Sequence, residues 1–543
     1  MNTKYIFVIG GVLSGVGKGV TTASIGRIFK NHGFNVSAIK IDPYINVDAG
    51  TMNPVEHGEV FVTDDGDETD QDIGNYERFL DTNIYSINYM TTGRVYLSVI
   101  EKERSMYYKG RCVEVVPHIP MEVIDRIESA AEKVKADVMI IEVGGTVGEY
   151  QNILFLEAAR MMKLKKPDDV SFVLVSYLPV PGHLGEMKTK PTQHAARTLN
   201  GSGIVADFIV ARGQYPLDEP RREKLALLCG LRSKQEIISA PDVQTIYEIP
   251  AVLEKQKLGE LLAERLKLDW GVERAKEWDS FVNKMKSADK KVKIAVVGKY
   301  FSTGDFTLAD SYISVIEATK HACWHSGAVP ELTWIDSEKY EESKDGIKEL
   351  SKYDAVIVPG GFGTRGVEGI IMAIKYAREN NIPYLGLCYG MQLASVEFAR
   401  NVLNLKDAHT VEFDPNGSEL IIHINDKQAA NVKGNQYGGT MRLGAYDCTL
   451  KEGTKVKELY SQEKISERHR HRYEFNNEYR DKLEESGMHI AGLNPESDLV
   501  EIIELKDHPY FVGCQFHPEF KSRPLSPHPL FVGLIKAALR EKL

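Results

Sequence analysis

Two periodicities alternate along the first half of the chain. Short apolar runs of strand length, Tyr5 to Ile9, Asn35 to Ile41, Val138 to Ile141, Phe172 to Ser176 and Phe208 to Ala211, are separated by amphipathic segments of helical period. This alternation predicts an α/β unit with a largely parallel sheet over residues 1–270. The pattern breaks at Gly271 to Lys291, "GVERAKEWDSFVNKMKSADKK", which ends in a charged stretch and is expected to be a linker. "VKIAVVGKY" then opens a second unit, residues 292–543. There Tyr312, Val315, Ile316 and Thr319 recur at helical spacing, followed by "YDAVIVPGG" as a strand, "GIIMAIKYAREN" as a helix and "IPYLGLC" as a strand. The second unit is expected to be doubly wound, with ligands at the carboxyl ends of its strands.

Each unit carries its own chemistry at a strand end. In the first, an apolar strand runs into "GGVLSGVGKG", with a helix expected to start near Val20. Successive backbone N–H groups and a helix N-terminus form a phosphate cradle, and Lys18 supplies countercharge. The spacing departs from GxxxxGK[ST]: the first glycine falls at Val12, and Gly19 replaces the hydroxyl residue that would bind Mg²⁺. A metal would therefore need other hard oxygen donors. Glu142, at the end of "DVMIIEVGG", and Asp72, in "TDDGDETDQD", are candidates, although composition alone does not separate Asp72 from its neighbours. Lys40, ending the next strand, could reach the same phosphates.

In the second unit the sequence G-L-C-Y-G sets Cys388 between Gly386 and Gly390 at a strand-to-helix corner. That layout raises a nucleophile above a sheet edge, with the following N–H aimed at a developing oxyanion. A buried structural cysteine is the alternative. Against it, "VGCQFHPEF" places His517 and Glu519 two residues apart on one side of an extended segment, which suits an imidazole and the carboxylate that orients it. "VPGGFGTRG" offers glycine-rich backbone N–H groups that could complete an oxyanion hole with the N–H of Tyr389.

Composition narrows the class. The 43% hydrophobic and 27% charged content is that of a soluble globular protein, and no apolar run approaches the roughly 18 residues of a membrane span. The start "MNTKYIFVIGG" reads as a first strand rather than a signal peptide. Six cysteines without CxxC spacing fit a reduced cytoplasm and offer no zinc site. A net charge of -10 argues against nucleic acid as a partner. "ERHRHRYE", Glu467 to Glu474, is the local basic exception and, by itself, reads as a solvated edge strand.

"PGGFG", "GLCYGMQ" and "FHPEF" together resemble a class I glutamine amidotransferase domain. "DAGTMNPVEHGEVFVTDDGDETDQDIGNYERF" and "KTKPTQH" resemble the CTP synthase family, and the similarity runs over nearly the whole chain. The resemblance implies an N-terminal P-loop-type parallel-sheet amidoligase domain and a C-terminal, flavodoxin-like, doubly wound amidotransferase domain. It further implies ATP-dependent amination of UTP to CTP, with ammonia from glutamine passing through a tunnel, along which Pro54, His57 and Val60 would lie, to a 4-phosphorylated UTP. By the same resemblance ATP binds at Ser14, Gly15, Val16, Gly17, Lys18, Gly19 and Val20, with Lys40 and Asp72 nearby and Arg212, Pro241, Asp242 and Val243 near adenine. Mg²⁺ falls to Asp72 and Glu142. UTP falls to Ser14, Lys188, Thr189, Lys190, Pro191, Thr192 and Gln193, with Lys224. Glutamine falls to Gly361, Tyr389, Gly390, Met391, Gln392, Glu412 and Arg472, whose guanidinium suits an α-carboxylate.

Three departures from the family pattern stand out. "GEYQN" replaces the usual "GDIES", which places Glu149, Tyr150 and Gln151 at the CTP feedback site. Leu228 stands where a Phe is common, and "KGRCVEVVPH" replaces "GKTVQVIPH", setting Glu114 near the substrate region. GTP activation and a homotetramer are expected from the resemblance alone. Two competing readings are an amidoligase with another acceptor, in which "KTKPTQ" and Lys224 would be incidental, and an assembly protein that has lost catalysis, against which the intact Cys388, His517 and Glu519 speak.

Overall fold

The structure is a computed structural model that describes residues 2–182, 185–271, 276–299, 302–303, 306–307, 309–424, 428 and 438–542. The chain forms two compact units, one of Met1–Ala49 with Asp72–Val282, the other of Gly50–Gln71 with Asn283–Leu543. Among the described residues no helix is long and apolar enough to cross a membrane.

In the first unit every expected apolar run lies in a strand of one seven-stranded, wholly parallel sheet. Its order is Tyr89–Thr91, Val36–Asp42, Val138–Val143, Lys4–Gly10, Val170–Tyr177, Phe208–Gly213, Ile237–Pro241. Helices on both faces bury these strands, so they read as continuous apolar runs rather than alternating ones. The first strand, Lys4–Gly10, is central, and the strand order reverses on either side of it. Ligand crevices form at such a switch point, and the glycine loop leaves this strand there.

The second unit holds a nine-stranded mixed sheet. Ala328–Asp336, Lys290–Gly298, Ala355–Val358, Tyr384–Leu387 and Phe511–Cys514 run parallel; Val500–Leu505, Met488–Leu493, Arg442–Leu450 and Lys464–His471 continue antiparallel. Apolar clusters cover both faces of the parallel part. Cys388 follows the interior strand Tyr384–Leu387, and His517 follows its neighbour Phe511–Cys514, so the register itself brings thiol and imidazole together.

The boundaries differ from those expected. Of the linker placed at 271–291, residues 272–275 lie outside the described residues, and Glu277–Ser287 is a helix. Trp278 anchors that helix: it is 1% exposed, donates its indole N–H to the Tyr247 carbonyl at 3.1 Å, and packs against Phe79. One aromatic residue outweighs the charged surroundings that suggested a tether. Residues 50–71, expected in the first unit, belong to the second. The strands Val60–Val62 and Glu68–Asp70 pair as a hairpin whose carboxylates bond the basic edge strand: Asp64 to Arg468 and Glu68 to Arg470, the latter at 2.8 Å.

Candidate active site

The glycine loop expected to cradle phosphate precedes the helix Lys18–Asn31, which starts two residues earlier than expected. Lys18 Nζ donates to the Gly145 carbonyl at 2.9 Å; burial foremost lowers its proton affinity, against the opposing charge of Glu142. Lys40 stands between two carboxylates, bonded to Asp72 and, at 3.1 Å, to Glu142 Oε1. Tyr76 donates its hydroxyl to the other oxygen of Glu142. Glu142 is fully buried, and desolvation, reinforced by the charge of Asp72, raises its carboxyl above the usual range.

The missing hydroxyl at position 19 has a steric reason. A Cβ on Gly19 would lie 1.9 Å from Asp72 Oδ1, so the Asp72 carboxylate occupies the space a Ser or Thr side chain would need. Carboxylate oxygens of Asp72 and Glu142 near the head of this helix are hard donors, and they fit Mg²⁺. The structure thus separates Asp72 from the other acidic residues of its loop, which composition could not do.

The other residues expected around this centre distribute as follows. Arg212 lies over the loop, its Nε 3.5 Å from where a Cβ of Gly17 would stand, and its guanidinium reaches Asp242 and the Ala240 carbonyl, both at 3.4 Å. Pro241 ends the outermost strand, and Asp242 N donates to the Gly213 carbonyl at 3.0 Å, with Val243 next in the chain. Ser14 and Gly15 are exposed, Val16 is buried, and Val20 lies in the first helical turn. "KTKPTQ" is a helix start, not a loop: Lys190–Gly201 is a helix with Thr189 as its cap and Pro191 in its first turn. Thr192 is buried against Ser176 Oγ at 3.0 Å, while Gln193 bonds Thr189 at 3.0 Å. Lys188 is paired with Glu186. Lys224 is exposed, three positions after Arg221, whose guanidinium bonds the Met187 carbonyl at 3.0 Å. Of the expected feedback residues, Glu149 accepts from Thr146 Oγ1 at 2.5 Å, Tyr150 is 91% exposed, and Gln151 is exposed beside it. Ser176, Tyr76 and Thr146 carry no sequence signal, because each meets its neighbours only through the tertiary packing of its strand, helix or loop.

In the second unit Cys388 sits at φ 48°, ψ −91°, a conformation rare for a residue with a Cβ. Such strain marks functional positions. The helix Tyr389–Asn401 begins at once, and the N–H groups of a first turn favour negative charge beside them. His517 Nδ1 lies 2.8 Å from Glu519 Oε1, which fixes the ring, while its Nε2 has no well-aligned hydrogen-bond partner. Burial alone would strip the ring of its proton. The charges of Glu519 and Cys388 outweigh it and hold His517 up to about 10. A charged imidazole beside the sulfur is the setting in which cysteine acts as a nucleophile.

Cys388, His517, Glu519, Gly360, Gly361 and Phe362 share a cavity of about 270 Å³ whose wall also includes Asn53, Glu59, Val60 and Arg470. A Cβ on Gly360 would lie 2.8 Å from His517 Cε1, so only glycine allows the ring its place. Glu412 accepts the Gly363 N–H at 2.7 Å, and Tyr389 donates its hydroxyl to the Gly363 carbonyl at 2.9 Å. Lys299, buried under the Tyr389 ring, also bonds the Gly363 carbonyl; desolvation pushes it down to about 8 despite the pull of Glu412. Gly390, Met391 and Gln392 are buried behind the elbow, Gln392 donating to the Tyr473 carbonyl at 2.9 Å. Arg472 bonds Gln428 and Thr440, at 3.2 and 3.0 Å, and the arginine in the cavity wall is Arg470. Lys299, Glu59 and Arg470 are further residues that the motifs did not point to. Of the three residues placed along a tunnel, Val60 lies in the cavity wall, His57 pairs with Asp70, and the Pro54 side chain lies outside what is described.

Residues 4–268 match the family model described as CTP synthase N-terminus, and residues 307–537 match glutamine amidotransferase class-I. A CTP synthase of Caldanaerobacter subterraneus subsp. tengcongensis is 51% identical over 543 residues, with 99% of each chain covered. One of Bacillus subtilis is 50% identical over 539 residues, again covering 99% of each. Among solved structures, the Trypanosoma brucei CTPS glutaminase domain with bound acivicin is 35% identical and spans 46% of this chain and 95% of its own, at a TM-score of 0.42. Similarity at this identity over both halves places the chain in the CTP synthase family.

Proposed function

We infer that the protein converts UTP to CTP, consuming ATP and taking nitrogen from glutamine. The observation that carries this reading is the thiol cavity: Cys388, strained and flanked by the Glu519-oriented His517, with Asn53, Glu59 and Val60 from the first half of the sequence in its wall. Glutamine amide chemistry is thereby built against a segment that the sequence ties to the amidoligase part.

Cys388 sulfur attacks the γ-carboxamide carbon of glutamine, and the oxyanion forms beside the Tyr389 N–H and the glycine backbone at 360–361. His517 gives its proton to the departing ammonia and then takes one from the water that hydrolyses the thioester. Glu412 and the Gly361 loop seat the substrate, and Arg472 meets its α-carboxylate. In the first unit, residues 14–20 hold the ATP phosphates, Lys18 and Lys40 offset their charge, and Arg212 with residues 241–243 lies toward adenine. Asp72 and Glu142 would hold Mg²⁺, which neutralises phosphate oxygens when bound. UTP sits on residues 188–193 with Lys224, and its O4 takes a phosphoryl group. The carbonyl oxygen, a poor leaving group, thus departs as phosphate when ammonia attacks C4. Transfer of ammonia inside the protein, GTP activation, CTP feedback at 149–151, a homotetramer and a cytoplasmic setting belong to the same proposal and rest on the family resemblance.

The protein is incubated with UTP, ATP and Mg²⁺, with glutamine or ammonium as nitrogen source. CTP is expected from both. Its absence with both would overturn the reading, and amination of a different acceptor would replace it.

A further inference from the structure

Gln515 lies between the strand that carries Cys514 and the catalytic His517, 1% exposed, with its backbone N–H on the Glu501 carbonyl at 2.8 Å. Its side-chain Nε2 is 3.5 Å from Cys388 Sγ. Its Oε1 accepts from Gln392 Nε2 at 3.3 Å, and the same Gln392 nitrogen donates to the Tyr473 carbonyl at 2.9 Å. This chain of contacts fixes both amides. A backbone carbonyl only accepts, so the Gln392 atom facing Tyr473 must be the nitrogen; its second hydrogen meets the Gln515 oxygen, which leaves the Gln515 NH₂ group turned to the sulfur.

We propose that Gln515 is a further catalytic residue, a neutral hydrogen-bond donor to the Cys388 sulfur that stabilises its negative charge, with Gln392 as the positioning residue that holds the Gln515 amide in that orientation. Such a donor acts most where sulfur carries charge and little where it does not. Sulfur is charged before it attacks the amide carbon and again when the S–C bond of the thioester breaks and the electron pair returns to it. In the thioester between those steps the sulfur is uncharged and a poor acceptor. Gln515 therefore favours thiolate as both nucleophile and leaving group, without taking part in proton transfer, which stays with His517. The buried amide pair is held together by its own contacts: Gln392 and Gln515 bond each other, a backbone carbonyl and the sulfur. The inference rests on Cys388 being the nucleophile.

The test measures how fast iodoacetamide alkylates Cys388 in the full-length protein without glutamine, from pH 5 to 10, by mass spectrometry of the peptide that contains it. The charged and titratable groups around the sulfur are His517 and Glu519, Arg470 and Glu59 in the cavity wall, and Cys514 on the adjoining strand; none is altered by the substitutions. In Gln515→Met the midpoint of the alkylation profile is expected to move up by about one pH unit, and glutaminase kcat to fall about tenfold with little change in KM. Gln515→Leu likewise lacks an N–H donor and adds no charge, and should shift the midpoint by a similar amount, so it serves if the Met variant folds poorly. Gln392→Met frees the Gln515 amide to turn and should shift it in the same direction by less. Profiles of both Gln515 variants that overlay the wild type would overturn the proposal. Should Cys388→Ala retain glutaminase activity, the reading of the nucleophile fails instead, whatever the Gln515 variants do.

Discussion

In the proposed mechanism His517 sets the alkaline limit of the thiol chemistry. Burial works against its charge, but Glu519 at 2.8 Å and the Cys388 sulfur hold its affinity for a proton up to about 10. In that mechanism the protonated ring delivers a proton to leaving ammonia, so turnover is expected to persist below that pH and to be lost as pH rises through it. Glu519→Gln keeps the hydrogen-bond geometry and removes the charge, and the alkaline limb of the glutaminase kcat profile is expected to fall by about two pH units toward the ordinary imidazole value. A limb that stays near 10 in that variant would show that Glu519 only orients the ring. The juxtaposition of Cys388, His517 and Glu519 was legible in the sequence because elbow glycines and i, i+2 spacing are local facts. Lys299, Tyr76 and Gln515 were not, because each acquires its partner from an element distant in the sequence.

The strand Lys464–His471 shows how an element's surroundings override its composition. Read alone, "ERHRHRYE" is a solvated edge, yet Glu467, Arg468, His469 and His471 are all buried. The hairpin Val60–Val62 with Glu68–Asp70 explains this: Arg468 reaches Asp64 and, at 3.1 Å, the Val62 carbonyl, while Phe61 packs on Phe520 with ring centroids 5.0 Å apart. No periodicity in residues 50–71 announces a hairpin whose partner lies some four hundred residues on. Burial raises the Asp64 carboxyl, but the neighbouring Arg468 charge more than offsets this and lowers it overall, so the pair stabilises the fold above the usual carboxylate range and its contribution is lost as pH falls through that range. Arg468→Met leaves Asp64 without its main countercharge and is expected to destabilise the second unit by about 2 kcal/mol at neutral pH, with a smaller difference in acid. Because the hairpin continues from Glu59 and Val60 in the cavity wall, glutaminase kcat/KM should fall as well. Denaturant unfolding at two pH values, with glutaminase kinetics beside it, checks both; unchanged stability at neutral pH would mean the staple is incidental.

Over the whole molecule, the two candidate centres lie at the ends of interior strands in separate sheets, Lys4–Gly10 and Tyr384–Leu387. That arrangement was legible because strand, glycine turn and helix follow one another in the sequence at both places. The units' boundaries were less so, since charge patterning cannot reveal that Trp278 docks or that residues 50–71 fold with the later half. The division of chemistry makes opposite demands on two variants. Cys388→Ala removes the only atom that forms the thioester, so glutamine-dependent CTP synthesis should drop by roughly a thousandfold or more while ammonium still supports it. Lys18→Ala removes the loop's cation and should cost about a hundredfold or more in CTP formation with either nitrogen source, because phosphoryl transfer precedes both routes. Basal glutaminase should survive in the lysine variant, its thiol, imidazole and glycine loop being untouched. Each variant is assayed with both donors and for glutamate release. If ammonium-dependent synthesis fails equally in both, the thiol is needed for more than releasing ammonia; if it survives in Lys18→Ala, the loop does not carry the phosphates and another cation, Lys40 the nearest to Asp72 and Glu142, must do so.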